Sequence, residues 1–209
     1  MPHLHSVPAR NQTLRHGFML WLFCLSLVLA LPPQAALAQT NADPRLLHLL
    51  TLMQQRLVLA KDVAMYKWNA KVAIDDPVRE QQILDALAKQ APQYGLTPDM
   101  AQGFFNAQIV AGKMIQVALF ADWQKQQQAS FAKPPDLKTQ IRPALDQLTT
   151  ALLTALADAR PVLQSTAGQQ ALELAAQAAT SQAEGQAAMP GYAKAWQYVL
   201  DDLRKTAVP

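Results

Sequence analysis

Arg56 and Lys67 stand 11 residues apart in the stretch RLVLAKDVAMYKW, inside an otherwise apolar stripe. That spacing is about three turns at 3.6 residues per turn, so the two cations leave one side of a helix. Arg79 follows in DDPVRE, and Gln108 and Gln116 recur on the inward side of a later apolar pattern. A lone basic side chain on such a stripe can lie along the apolar surface and carry its charge out to water. Three cations converging in an apolar bundle, without a full set of acidic partners on the same faces, call instead for an anionic ligand. The physical reason is that an unpaired buried charge costs several kcal/mol.

Other chemistries fall away by residue type. His48 is the only histidine after residue 38, and the only cysteine is Cys24. Metal sites built on clustered His and Cys, Ser-His-Asp triads and Cys-His nucleophiles therefore lack their parts. Asp75, Asp76 and Glu80 lie close enough for a carboxylate metal site, but Asp76 directly before Pro77 reads more simply as a helix N-cap. No glycine-rich phosphate loop is present.

These side chains must be held by helices. Leu49, Met53, Arg56, Ala60, Val63 and Lys67 recur at alternating spacings of four and three, which predicts one face of a helix from about Pro44 to Val72. Asp76-Pro77 opens a second helix that Pro92 and Gly95 close, and Thr97-Pro98 opens a third carrying Phe104, Gln108, Gly112, Ile115, Gln116, Leu119 and Trp123 on one side. QKQQQAS and KPPD break the chain before a fourth helix, in which Pro143 is tolerable near the start. Pro161, Gly168, Gly185 and Pro190 divide the remainder into an alanine-rich helix and a short terminal one. The expected fold is all-α, a single-domain bundle of about six helices over residues 39–209.

Residues 1–38 are set aside from that fold as a cleavable signal peptide. A basic start without acidic residues leads into the apolar run Phe18 to Leu31, and Ala36-Leu37-Ala38 is a small-x-small cleavage pattern. The run is shorter than the roughly 20 apolar residues of a membrane span. Export to the periplasm or medium is expected, with the mature chain off the membrane and starting at Gln39. The full chain has 18 basic and 15 acidic residues; losing Arg10 and Arg15 brings it close to neutral, which removes the main support for a nucleic-acid partner.

Taken together, Arg56-Leu57, the VA..KW of Val63 to Trp68, the run from Ile74 to Glu80, Gly95 to Pro98, the FF..QI.A.K.IQ of Phe104 to Gln116, and Trp123 resemble the all-helical chorismate mutases. This is the AroQ class, and specifically its exported gamma subgroup. The likeness runs from about Leu49 to Trp123 and resumes around Arg142. It implies conversion of chorismate to prephenate by a concerted rearrangement without metal or cofactor. By the same likeness Arg56 and Arg142 clamp carboxylates, and Lys67 and Gln116 donate to the ether oxygen. Arg79 is a further pocket arginine, and Asp76 and Glu80 lie near the substrate hydroxyl. The resemblance also implies a homodimer and a pocket completed by Arg142 of the same chain, so that deletion after Ala129 should abolish activity in a chain that stays helical. Gly112 and Ile83 depart from the family pattern: relatives commonly have serine or threonine at the first, touching a substrate carboxylate, and some have glutamine at the second. Two other readings stand beside this one, a non-enzymatic module binding an anion or a protein, and a lyase on the same scaffold that releases pyruvate.

Overall fold

The computed structural model describes residues 42–206, with the side chains of Glu184 and Thr206 excepted; the signal peptide expected over 1–38 lies outside them. Among the described residues there are seven α-helices and no strand: α1 (Pro44–Ala70), α2 (Pro77–Gln90), α3 (Pro98–Lys125), α4 (Arg142–Leu163), α5 (Gly168–Gln182), α6 (Glu184–Ala187) and α7 (Tyr192–Thr206). They form one compact unit.

Local chemistry sets the ends. Asp43, Asp76 and Thr97 cap α1, α2 and α3, their side chains accepting from the N–H groups of Arg45, Arg79 and Met100, and each helix has proline in its first turn. Lys71 closes α1 in the left-handed region at φ 56°, and Gly95 does the same, at φ 71°, for the 3₁₀ turn Ala91–Tyr94 that follows α2. Two features of the second half differ from the sequence reading. Pro161 does not end α4, which runs on to Leu163; so close to the C-terminus, a proline removes one hydrogen bond of a ladder that is about to stop. The alanine-rich region also holds an extra single turn, α6.

α1 and α3 are the central pair. A Cβ built on Gly112 would lie 3.9 Å from Cβ of Ala60, and further along both helices Trp68 meets Phe120 and Trp123 at ring separations of 5.2 and 5.6 Å. Both helices advance between those contacts, so they run in the same direction, and α2 packs on α3. α3 is the one described helix long and apolar enough to cross a membrane, yet its Phe104, Phe105, Ile115 and Leu119 are buried within the bundle. Gly191 lets α7 lie against α3: its φ is 81°, and a Cβ there would come within 2.8 Å of Ala118 Cβ.

The C-terminal helices share this core. Leu152, Leu153 and Leu156 of α4, Leu172 of α5, and Trp196, Val199 and Leu203 of α7 are buried in the same cluster as Leu49, Met53 and Phe105. Each is worth about 1.5–3 kcal/mol, so removing them all forfeits as much as the about 5–15 kcal/mol that holds a typical domain folded. A chain cut after Ala129 is therefore expected to unfold, and its inactivity would say nothing about Arg142. Point substitution is the cleaner test.

Candidate active site

One cavity of about 330 Å³ opens between α1, α2, α3 and the start of α4. Arg56, Lys67, Asp76, Arg79, Glu80, Gly112, Gln116 and Arg142 all line it, as does Ile83. α1 contributes Arg56, Ala60, Val63 and Lys67 as one row, and α3 contributes Gln108, Gly112 and Gln116 at spacings of four. Arg79 and Arg142 are exposed at its edge, whereas the α3 glutamines are buried.

Arg56 sits where charge is costly. Its Nε is buried and has no partner among the described residues, and burial alone pushes the guanidinium down to about 10. Lys67, in the last turn of α1, donates from Nζ to the carbonyl oxygen of Ile74. Burial lowers its pKa; nearby Asp76, Glu80 and Asp75 offset part of that and Lys113 adds to it. Gln116 donates from Nε2 to Gly112 O at 3.3 Å, a long bond within its own helix, and its Oε1 is unpaired among the described residues.

The carboxylates are tied down locally. Asp76 Oδ1 accepts from Arg79 N at 3.2 Å, and Asp76 N donates to Glu80 Oε1 at 3.2 Å, so cap and pocket wall are one structure. Lys113 Nζ bridges Glu80 at 2.9 Å and Asp75 at 3.0 Å, and these partners hold its pKa above the ordinary lysine value. Among the described residues, no group of three or more His, Cys, Asp or Glu is arranged to hold a metal ion. The cavity wall carries five cations, Lys113 included, against Asp76, Glu80 and Asp146. Asp75 stands just behind, bridged to Lys113, and the wall still keeps a net positive charge for whatever enters.

Arg142 arrives on a segment that is anchored at several points. Asn69 Nδ2 donates to Phe131 O at 2.8 Å while Asn69 Oδ1 accepts from Phe131 N at 2.9 Å. The Phe131 ring packs on Trp123 at 4.8 Å. Asp136 then caps the π-helical turn Leu137–Ile141 by accepting from Lys138 N and Thr139 N, and α4 begins directly after it with Arg142.

The sequence reading set Gln108 among the inward-facing polar groups without giving it a task, and did not single out Lys113, or Leu145, Asp146 and Thr149 of α4; all of these line the cavity. Lys113 lay in plain view within the quoted α3 pattern, but its partner Glu80 is 33 residues away and only the packing of α2 on α3 joins them.

Comparison with known proteins gives a consistent picture. The family model described as chorismate mutase type II matches residues 47–117, a span that holds every cavity residue named from sequence except Arg142. The chain is 33% identical over 130 residues to the secreted chorismate mutase of Mycobacterium tuberculosis, covering 62% of this chain and 64% of that one. It is 34% identical over 125 residues to the secreted chorismate mutase of Mycolicibacterium smegmatis, covering 60% and 68%. It thus spans about two thirds of the length of these curated relatives. Among solved structures, the chorismate mutase of Burkholderia thailandensis matches with a TM-score of 0.69 at 34% identity, covering 77% of this chain and 99% of that one.

Proposed function

The chain belongs to the type II chorismate mutase family, and from that premise we propose that it rearranges chorismate to prephenate. The observation that carries the reading is one cavity with a net positive wall, suited to a small dianion, in which Arg56 Nε is buried without a partner among the described residues and Lys67 and Gln116 add further N–H donors. Chorismate has two carboxylates, an enol ether and a hydroxyl. The ether C–O bond breaks as a C–C bond forms within the same molecule, so nothing is transferred to or from the protein.

Each group has a physical task in this proposal. Arg56 and Arg142 hold the carboxylates with paired hydrogen bonds of fixed geometry, and Arg79 adds a third cation at the edge. These contacts exist before and during the reaction, so they act mainly by selecting the compact reactive conformer. Lys67 and Gln116 donate to the ether oxygen, where negative charge grows as the bond breaks. In the free protein both donate to backbone carbonyls, of Ile74 and Gly112, rather than to a carboxylate, and so are available for substrate. Asp76 and Glu80 face the hydroxyl, with Lys113 holding Glu80 in place.

Incubating Gln39–Pro209 with chorismate and separating the products tests the reading directly. Prephenate is expected; pyruvate would indicate a lyase, and no turnover by folded protein would leave an anion-binding module. Arg142→Ala in the same assay is expected to raise KM about tenfold or more while the protein stays folded, because an exposed side chain at a helix start contributes little to the core. An unchanged KM would remove Arg142 from the clamp.

Gly112 offers a gain-of-binding test. Its added Cβ meets only Ala60 Cβ, at 3.9 Å, an ordinary contact, so a Cβ is accommodated without displacing a neighbour. Gly112→Ser is expected to lower KM by about threefold to tenfold, the worth of one net hydrogen bond of ~1 kcal/mol. A KM that stays put would show that the backbone or a water already serves that carboxylate.

The proposal extends to export and assembly. Relatives named secreted chorismate mutase support secretion, and cleavage after Ala38 is tested by the intact mass of exported protein, expected to begin at Gln39. The reading includes a homodimer with a complete site in each subunit, in which residues 131–209 complete the pocket begun by 39–130; Leu137, Arg142, Leu145, Asp146 and Thr149 supply that second part of the lining. Sedimentation equilibrium measures the dimer.

A further inference from the structure

We propose that Gln108 is a further substrate-binding residue, whose amide donates to the carboxylate held by Arg56; this rests on the chorismate reading above. Gln108 is 2% exposed, and neither its Nε2 nor its Oε1 has a hydrogen-bond partner among the described residues. Burying an amide with both ends unmet is costly, and a fold that gains nothing from it would have an apolar residue there. The protein does pair a buried glutamine where the role is structural: Gln54, 8% exposed, donates to Ala179 O at 2.9 Å and so ties α1 to α5. Gln108 has no such tie, and it lines the cavity.

The register of the central helices says which part of the ligand it meets. Gly112 faces Ala60, and α1 and α3 run in the same direction. One turn back on each helix from that contact stand Arg56 and Gln108, four residues before Ala60 and Gly112 respectively. Lys67 and Gln116 lie on the opposite side of the same contact, so the wall has an ether-oxygen end and a carboxylate end. Arg56 Nε is likewise buried and unpaired. Cation and amide together form a floor of unmet N–H donors at the carboxylate end, where a second cation would add repulsion and a carboxylate would repel the ligand.

Gln108→Leu removes the amide's polar atoms at similar volume, and Gln108→Met, unbranched like glutamine, is measured in parallel so that a packing fault at leucine does not decide the matter. The expected result is a melting temperature equal to or above that of the wild type, a KM for chorismate raised about tenfold, and a kcat changed far less, since the contact is made in ground and transition states alike. Gln108→Glu, which sets a carboxylate against a carboxylate, is expected to weaken binding further. A structural amide would give the reverse pattern, a lower melting temperature with KM unchanged, and that result in both Leu and Met variants overturns the proposal. Wild-type turnover in the same assay separates the two levels: a wild type that makes prephenate beside variants whose KM lies within twofold of it removes Gln108 alone, whereas a wild type that makes none removes the activity with it.

Discussion

Replacing Lys67 by alanine is expected to lower kcat about 10²- to 10³-fold while KM stays within a few-fold of the wild type. The magnitude follows from losing one preorganised donor at an atom where charge develops in the transition state. The split between kcat and KM follows from timing, because the ether oxygen of bound chorismate is a weak acceptor until its bond to carbon stretches. The charge state of Lys67 gives a second handle. Burial lowers its pKa, and the carboxylates of Asp76, Glu80 and Asp75 make up only part of the loss. The donating form is the protonated one, so kcat should fall as pH rises through a value below the 10.5 of an ordinary lysine. Between about pH 5 and 8 the rate should be nearly flat: Gln116 needs no proton to donate, and no histidine among the described residues lines the cavity. Steady-state kinetics across pH measures both, and an unchanged kcat in Lys67→Ala would remove it from the ether oxygen.

What could be read from the chain beforehand was whatever is written within a helical turn or two. The apolar spacing around Arg56 and Lys67 placed α1, and Asp76-Pro77 and Thr97-Pro98 placed the starts of α2 and α3, because caps and periodicity are local physics. Residues joined across the fold were not legible. Lys113 meets Glu80 over 33 positions and Asn69 holds Phe131 over 62; neither pair has a signature in spacing. The face of α4 that carries Leu145, Asp146 and Thr149 to the cavity is set by how the preceding segment is anchored, which amphipathic pattern alone does not specify. Pro161 misled for a different reason. A proline is a strong breaker in mid-helix and a weak one in the last turn, and sequence does not say which turn is last.

Arg56→Met is expected to do two opposite things: remove about 10²- to 10³-fold or more of kcat/KM, and raise the melting temperature by a few degrees. The catalytic loss is that of a desolvated, bidentate carboxylate contact, about 2–5 kcal/mol. The stability gain comes from the state of the free protein, where burial alone pushes the Arg56 guanidinium down to about 10 with no carboxylate opposing it. A charge desolvated to that degree destabilises the free protein by something on the order of 1–3 kcal/mol, reduced by whatever water reaches the part-exposed side chain. For a base whose pKa is lower folded than unfolded, the cost is complete at every pH below the folded value and fades only as pH rises above about 10 towards the ordinary arginine value. The stability difference between variant and wild type should therefore be constant across neutral pH. Methionine keeps much of the side-chain volume, so the gain is not cancelled by a cavity. Thermal melts with and without ligand complete the test. A ligand that supplies the missing counter-charge should raise the wild-type melting temperature and leave that of Arg56→Met nearly where it was. A variant less stable than the wild type would mean that peptide dipoles already compensate the guanidinium, and that the site is held ready for an anion without cost to the fold.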